Sequence, residues 1–235
     1  YDYLRIVPDD RLDIKRYSSS ASHRYIINEG LRLNTTLFLY TTERNWNRQD
    51  FSYNPSANDL SGVVHGVDNL KDGAIYLRNS TGQRNRQFEV VGLESRLEYR
   101  YNFINLSSKI DAGIRGLYEK AYEQRVNGTK AGVLSGDLRN DEIREGKTLS
   151  MFAQNKMLIT GKLTFTSGVR LESIFYEREI FRIAGNDTLI GNTSSDIAVI
   201  PGAGVNYNVN DDLNIFAGVH KGYAPPRIND AISND

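Results

Sequence analysis

Arginine is the residue type whose placement points most directly to chemistry. Arg44 and Arg48 lie close together, Arg84 and Arg86 are two residues apart, and Arg125, Arg182 and Arg227 follow, each near one end of a strand-like stretch. A guanidinium presents a planar fork of donors that matches the two oxygens of a carboxylate, so arginines converging on one spot form a receptor for an anionic metal chelate. The candidate ligand-binding residues are Arg44, Arg48, Arg84, Arg86 and Arg125. A solvated-loop reading stands beside this one. The segment 45–86 also carries Lys71 and Arg78, set against Asp50, Asp59, Asp68 and Asp72, so it is nearly neutral.

Other chemistries lack their residues. Cysteine is absent, which excludes thiolate zinc sites, thiol nucleophiles and disulfides. His23, His65 and His220 are far apart, with no second histidine or carboxylate at metal-ligand spacing, so no metal site is expected. Gly146-Lys147-Thr148 resembles the end of a phosphate loop, but the position of that motif's first glycine is Asp141. No Gly-x-Ser-x-Gly or His-Glu-x-x-His occurs, and no catalytic residue can be nominated. Asn208–Asp212 is acidic enough for calcium but is spaced like a polar hairpin turn.

The composition narrows the class further. With 29 Lys+Arg against 29 Asp+Glu over 235 residues, the chain has no electrostatic footprint for nucleic acid. It has no apolar run of the roughly 18 residues that a spanning helix needs. Fourteen tyrosines and nine phenylalanines, with many asparagines, favour pleated strands joined by turns.

Periodicity supplies the elements that must position the arginines. From Gln87 to Tyr101, Val91, Leu93, Leu97, Tyr99 and Tyr101 alternate with Glu94, Arg96, Glu98 and Arg100, a strand with one apolar and one charged face. Ile110, Ala112, Ile114, Tyr118 and Tyr122 likewise oppose Lys109, Asp111, Arg115, Glu119, Glu123 and Arg125. Leu163 to Phe175, Ile197 to Tyr207 and Leu213 to Val219 repeat the pattern, and Ser18 to Ile27, Leu31 to Arg44 and Leu149 to Ile159 carry it less cleanly. Eight strands are predicted. The inward charges are expected to form cross-strand ion pairs, and Trp46, Tyr99, Tyr101, Tyr118, Tyr122, Phe175 and Tyr223 to form interfacial girdles.

Short links at Asn28–Gly30, Asn102–Asn105, Thr160–Gly161 and Asn208–Asp212 alternate with long polar ones at Asn45–Asn85, Val126–Gly146 and Arg182–Ser195. Tight turns at one end, long loops at the other and strands of 12 or more residues are the combination seen in outer-membrane barrels. A sheet in lipid must leave no backbone group unpaired, so eight strands either close on themselves or belong to a larger barrel.

Phe88-Glu-Val-Val-Gly-Leu-Glu94, Gly113-Ile-Arg-Gly-Leu-Tyr-Glu119, Met151-Phe-Ala-Gln-Asn155 with Leu163 to Glu172, and Pro201 to Tyr207 with Gly222 to Arg227 resemble the barrel of TonB-dependent outer-membrane receptors, most closely their ferric-citrate and related ferric-chelate branch. The resemblance covers most of the chain from about Tyr17. It implies an all-β fold, residues 1–235 being an antiparallel segment of about eight strands in a 22-stranded transmembrane barrel of the bacterial outer membrane. It implies a transporter and not an enzyme, importing a ferric chelate such as iron-citrate or a siderophore, with outer-membrane lipid and an inner-membrane TonB energy-coupling complex as partners and no cofactor. Neither the family's N-terminal plug nor its closing strands can be recognised between Tyr1 and Asp235, so the chain is read as a barrel segment. A complete small eight-stranded barrel and a soluble β-rich binding module are the alternatives.

Overall fold

The computed structural model describes residues 10–53, 63–65 and 75–225. They form one antiparallel meander: β1 (Arg11–Ile26), β2 (Leu31–Tyr53), β3 (Val63–His65), β4 (Ile75–Phe103), β5 (Leu106–Gly128), β6 (Asp137–Leu158), β7 (Leu163–Ile183), β8 (Asn186–Asn208) and β9 (Asn214–His220). Eight strands follow one another in the order β1-β2-β4-β5-β6-β7-β8-β9, and the three-residue β3 pairs only with β4. β1 and β9 do not pair with each other, so the described residues make an open sheet with no second layer.

The registers preserve the predicted alternation. One face carries Leu37, Leu93, Leu149 and Ile197 in one cross-strand row, and Thr35, Ser95, Ile114, Met151, Leu171 and Val199 in the next. The other face carries Glu98, Asp111 and Gln154 in register, then Glu94, Arg115, Ser150 and Glu172. There the expected ion pairs form: Lys109 lies 3.0 Å from Glu98 and 3.3 Å from Asp111, and Arg96 lies 2.9 Å from Asp111. Of the buried apolar side chains, Val90, Ile174, Ile180 and Ala198 also lie on this charged face.

Three turns at one end share a construction. The amides of Ile27, Ile159 and Val209 each donate to the carbonyl of a leucine four residues on. Within them Asn28, Thr160 and Asn210 side-chain oxygens accept amides two or three residues ahead, which replaces lost ladder bonds. The Asn208–Asp212 segment is thus a polar hairpin turn. The fourth, Ile104-Asn105, has φ of 48° and 61°, the doubly left-handed pattern that follows strand twist in a two-residue hairpin.

At the other end the predicted long loops are mostly strand. β2 runs on to Tyr53 and β4 begins at Ile75; β5 and β6 leave only 129–136 between them; β7 and β8 are joined by Ala184-Gly185 alone. The periodicity signal stops where one face ceases to be apolar, but main-chain pairing does not depend on that face. Strands wetted on both sides therefore read as loop.

Candidate functional site

The outer ends of β2, β4 and β5 bring together the arginines singled out in the sequence. Arg44 faces Arg86 across β2 and β4 in the register; one row further out Trp46 faces Arg84, which faces Arg125 on β5; beyond them Arg48 faces Gly82. Even-numbered positions of β2 and β4 and odd-numbered ones of β5 share the charged face, so all five side chains lie on it. Trp46, Arg48, Asp50, Gly82, Gln83, Arg84 and Arg125 line one cavity of about 220 Å³. The Arg48 guanidinium stacks 5.4 Å from the Trp46 ring centre and 5.1 Å from that of Phe51, which holds its plane fixed. Asp50, the cavity's carboxylate, accepts a 2.6 Å hydrogen bond from the Ser80 hydroxyl. Arg48, Arg84 and Arg125 form no ion pair among the described residues. Three guanidinium groups against one engaged carboxylate, beside an indole, have the chemistry to hold a small polyanion.

Below this cavity a chain of alternating charges crosses four strands. Arg86 Nη2 lies 2.7 Å from Glu123, whose other oxygen lies 3.4 Å from Arg144 Nη1. Arg144 also pairs with Glu142. Glu142 Oε2 accepts from Arg178 Nε at 2.8 Å and Nη2 at 2.6 Å. The Nε atoms of Arg86 and Arg144 are buried without a hydrogen-bond partner among the described residues.

A family model for the TonB dependent receptor-like β-barrel matches residues 1–235. The chain belongs to the TonB-dependent receptor barrel family. No curated protein matches it. Among solved structures it is similar to the ferric citrate transporter FecA in its unliganded form, with 20% identity and a TM-score of 0.72 over 92% of this chain and 28% of that one. The ferric-catecholate import receptor Fiu of E. coli K12, in its open form, gives 12% identity and a TM-score of 0.70 over 94% of this chain and 37% of that one. The siderophore receptor PiuA of Acinetobacter baumannii gives 10% and 0.68, over 89% and 32%. The chain thus spans roughly a third of each, and at these identities the likeness is one of fold.

Placed in this barrel fold, several expected positions move. Trp46 and Tyr223 are not girdle residues: Trp46 lines the arginine cavity, and the Tyr223 hydroxyl donates to Asp196 at 2.8 Å on the charged face. Tyr99, Tyr101, Tyr118, Tyr122 and Phe175 keep to the apolar face. Arg182 follows a bulge that turns it to the apolar side, where it pairs with Asp187. Arg227 and the side chain of His65 lie outside the described residues. Among the described residues no cluster of His, Asp or Glu could hold a metal.

Glu142, Arg144 and Arg178 escape the sequence pattern, because 126–146 reads as a loop and the alternation of β7 is clear only to Phe175. Their signal was opposite charge at a spacing of two, as in Glu142-x-Arg144, the same spacing that marks Arg170-x-Glu172 and Lys109-x-Asp111.

Proposed function

We propose that this chain is the binding wall of an outer-membrane importer of an anionic ferric chelate, such as iron-citrate or a carboxylate siderophore. In that reading the sheet is part of a closed barrel; its apolar face meets lipid and its charged face lines a wet lumen. The ends of β2, β4 and β5 then stand at the extracellular mouth. The observation that carries the reading is the convergence of Arg48, Arg84 and Arg125 with Trp46 around one cavity, none of the three arginines being paired to a carboxylate among the described residues. The similarity to the ferric citrate transporter FecA and the ferric-catecholate import receptor Fiu supports iron as the cargo. The protein's part is binding and passage, with no bond made or broken, so the reading excludes an enzyme. Energy would come from an inner-membrane TonB complex acting through a plug domain, as is general for the family.

Captured chelate would next meet the ladder from Arg86 to Arg178, whose arginines offer further donors to an anion leaving the mouth inward. The test is iron uptake by the full-length receptor in a strain lacking other receptors. Arg84→Ala and Arg125→Ala should each raise the half-saturating concentration of ferric citrate about tenfold and leave the maximal rate near wild type, since each removes one charge-assisted pair. Unchanged saturation curves would overturn the mouth assignment, and failure of any ferric chelate to support growth would overturn the cargo.

A further inference from the structure

We propose that the apolar face carries a site for one phosphoethanolamine-headed acyl lipid, built on Gly116, Lys147 and Glu177. This rests on the reading that the apolar face meets the membrane, and it adds a partner that the import role does not require. Most of that face is a carpet of side chains. At Gly116 the carpet has a gap: nothing stands within 4 Å of where its Cβ would be, and Leu93 and Leu149 flank it in register. The gap opens into a groove of about 530 Å³ whose lining is mainly apolar and includes Leu37, Leu149 and Phe175.

Lys147 sits on the groove's rim, in the last apolar row before the face turns charged, opposite Tyr118 on one side and Phe175 on the other. Its ammonium lies 5.6 Å from the Phe175 ring centre, and it forms no ion pair among the described residues. In the next row out, Lys120 and Glu145 satisfy each other at 2.9 Å. Glu177 in that row faces Glu145 across β6 and β7 and forms no ion pair among the described residues.

Along the strand direction the order is therefore apolar groove, then the Lys147 cation, which also attracts Glu145, then the Glu177 carboxylate. Two rows on one face are about 6.6 Å apart at the strand rise of ~3.3 Å per residue. An acyl lipid bearing phosphoethanolamine has the matching order: hydrocarbon, phosphate, ammonium. Phosphatidylglycerol carries the same phosphate but ends in a neutral glycerol that gains nothing from Glu177 and Glu145, whereas the ammonium of phosphoethanolamine does, so the arrangement favours the zwitterion.

The test uses full-length receptor, purified in detergent, stripped of lipid and reloaded from mixed micelles of phosphatidylethanolamine and phosphatidylglycerol, with bound lipid counted by native mass spectrometry. Wild type should hold one phosphatidylethanolamine with about tenfold preference over phosphatidylglycerol. Lys147→Ala should lose most retained lipid of both kinds. Glu177→Gln should retain lipid but bring the two headgroups to near parity. Gly116→Leu, whose Cβ would meet nothing within 4 Å, should abolish retention and leave iron uptake intact. Wild-type retention in Lys147→Ala and Gly116→Leu overturns the site, and unchanged preference in Glu177→Gln overturns its headgroup assignment. A receptor that stays monodisperse without detergent overturns the membrane reading itself, a separate outcome.

Discussion

Single residues carry the sharpest energetic consequences on the charged face. Glu142 lies between Arg144 and Arg178, both largely withdrawn from water, and accepts two hydrogen bonds from the latter. Removing a carboxylate from such a place leaves buried positive charge uncompensated, and this costs far more than the pair itself is worth. Glu142→Ala should therefore destabilise the folded barrel by about 3–5 kcal/mol, read as a lowered unfolding midpoint in detergent. The more exposed pair of Lys15 and Glu43, 3.9 Å apart, should tolerate Glu43→Ala within about 0.5 kcal/mol. Equal effects from the two would refute the ladder as a buried unit. Nothing in the residue types alone separates the two. Both glutamates are polar residues in a polar context, and only the register shows that one is enclosed by β6 and β7.

Elements are legible where their two faces differ in chemistry and illegible where they do not. The alternation through Val91 to Tyr101 placed β4 and its register neighbours correctly, because an apolar face in contact with anything but water must repeat every second residue. The same strand continues back to Ile75 through Arg84 and Arg86, where both faces are polar and no repeat exists to be read. The arginines were thus identified by type and proximity, but their sharing one face needed the ladder. The distinction between faces is testable on one pair of strands. From Tyr101 to Val91 the apolar face runs about 35 Å along the strand, or about 25 Å across a membrane at the usual tilt, which places Ile114 near the middle. Ile114→Lys should cost about 2–4 kcal/mol and reduce assembled receptor in membranes. Gln154→Lys, on the charged face in register with Asp111, should be near neutral because it adds a cation beside existing carboxylates. If the costs were reversed, lumen and lipid sides would be interchanged.

The whole molecule exposes 16118 Å², whereas a compact protein of 26.6 kDa exposes about 11,000 Å². The excess is the signature of one sheet with two open faces and, among the described residues, two unpaired edges at β1 and β9. Large apolar side chains such as Ile197 and Val219 remain 69% and 74% exposed, so among the described residues no second layer covers this face. A long unpaired strand with exposed apolar neighbours is a template for pairing with another chain, so residues 1–235 expressed alone should not persist as a monomer in buffer. Sedimentation should find large β-rich aggregates in plain buffer, and added detergent micelles should cover the apolar face without closing the edges, which leaves small oligomers. The full-length receptor, in which the remaining strands of the barrel would pair with β1 and β9, should sediment as one discrete species in the same detergent. A stable detergent-free monomer of residues 1–235 would mean that the apolar face is covered by the chain itself, and both the barrel and the import function would have to be given up.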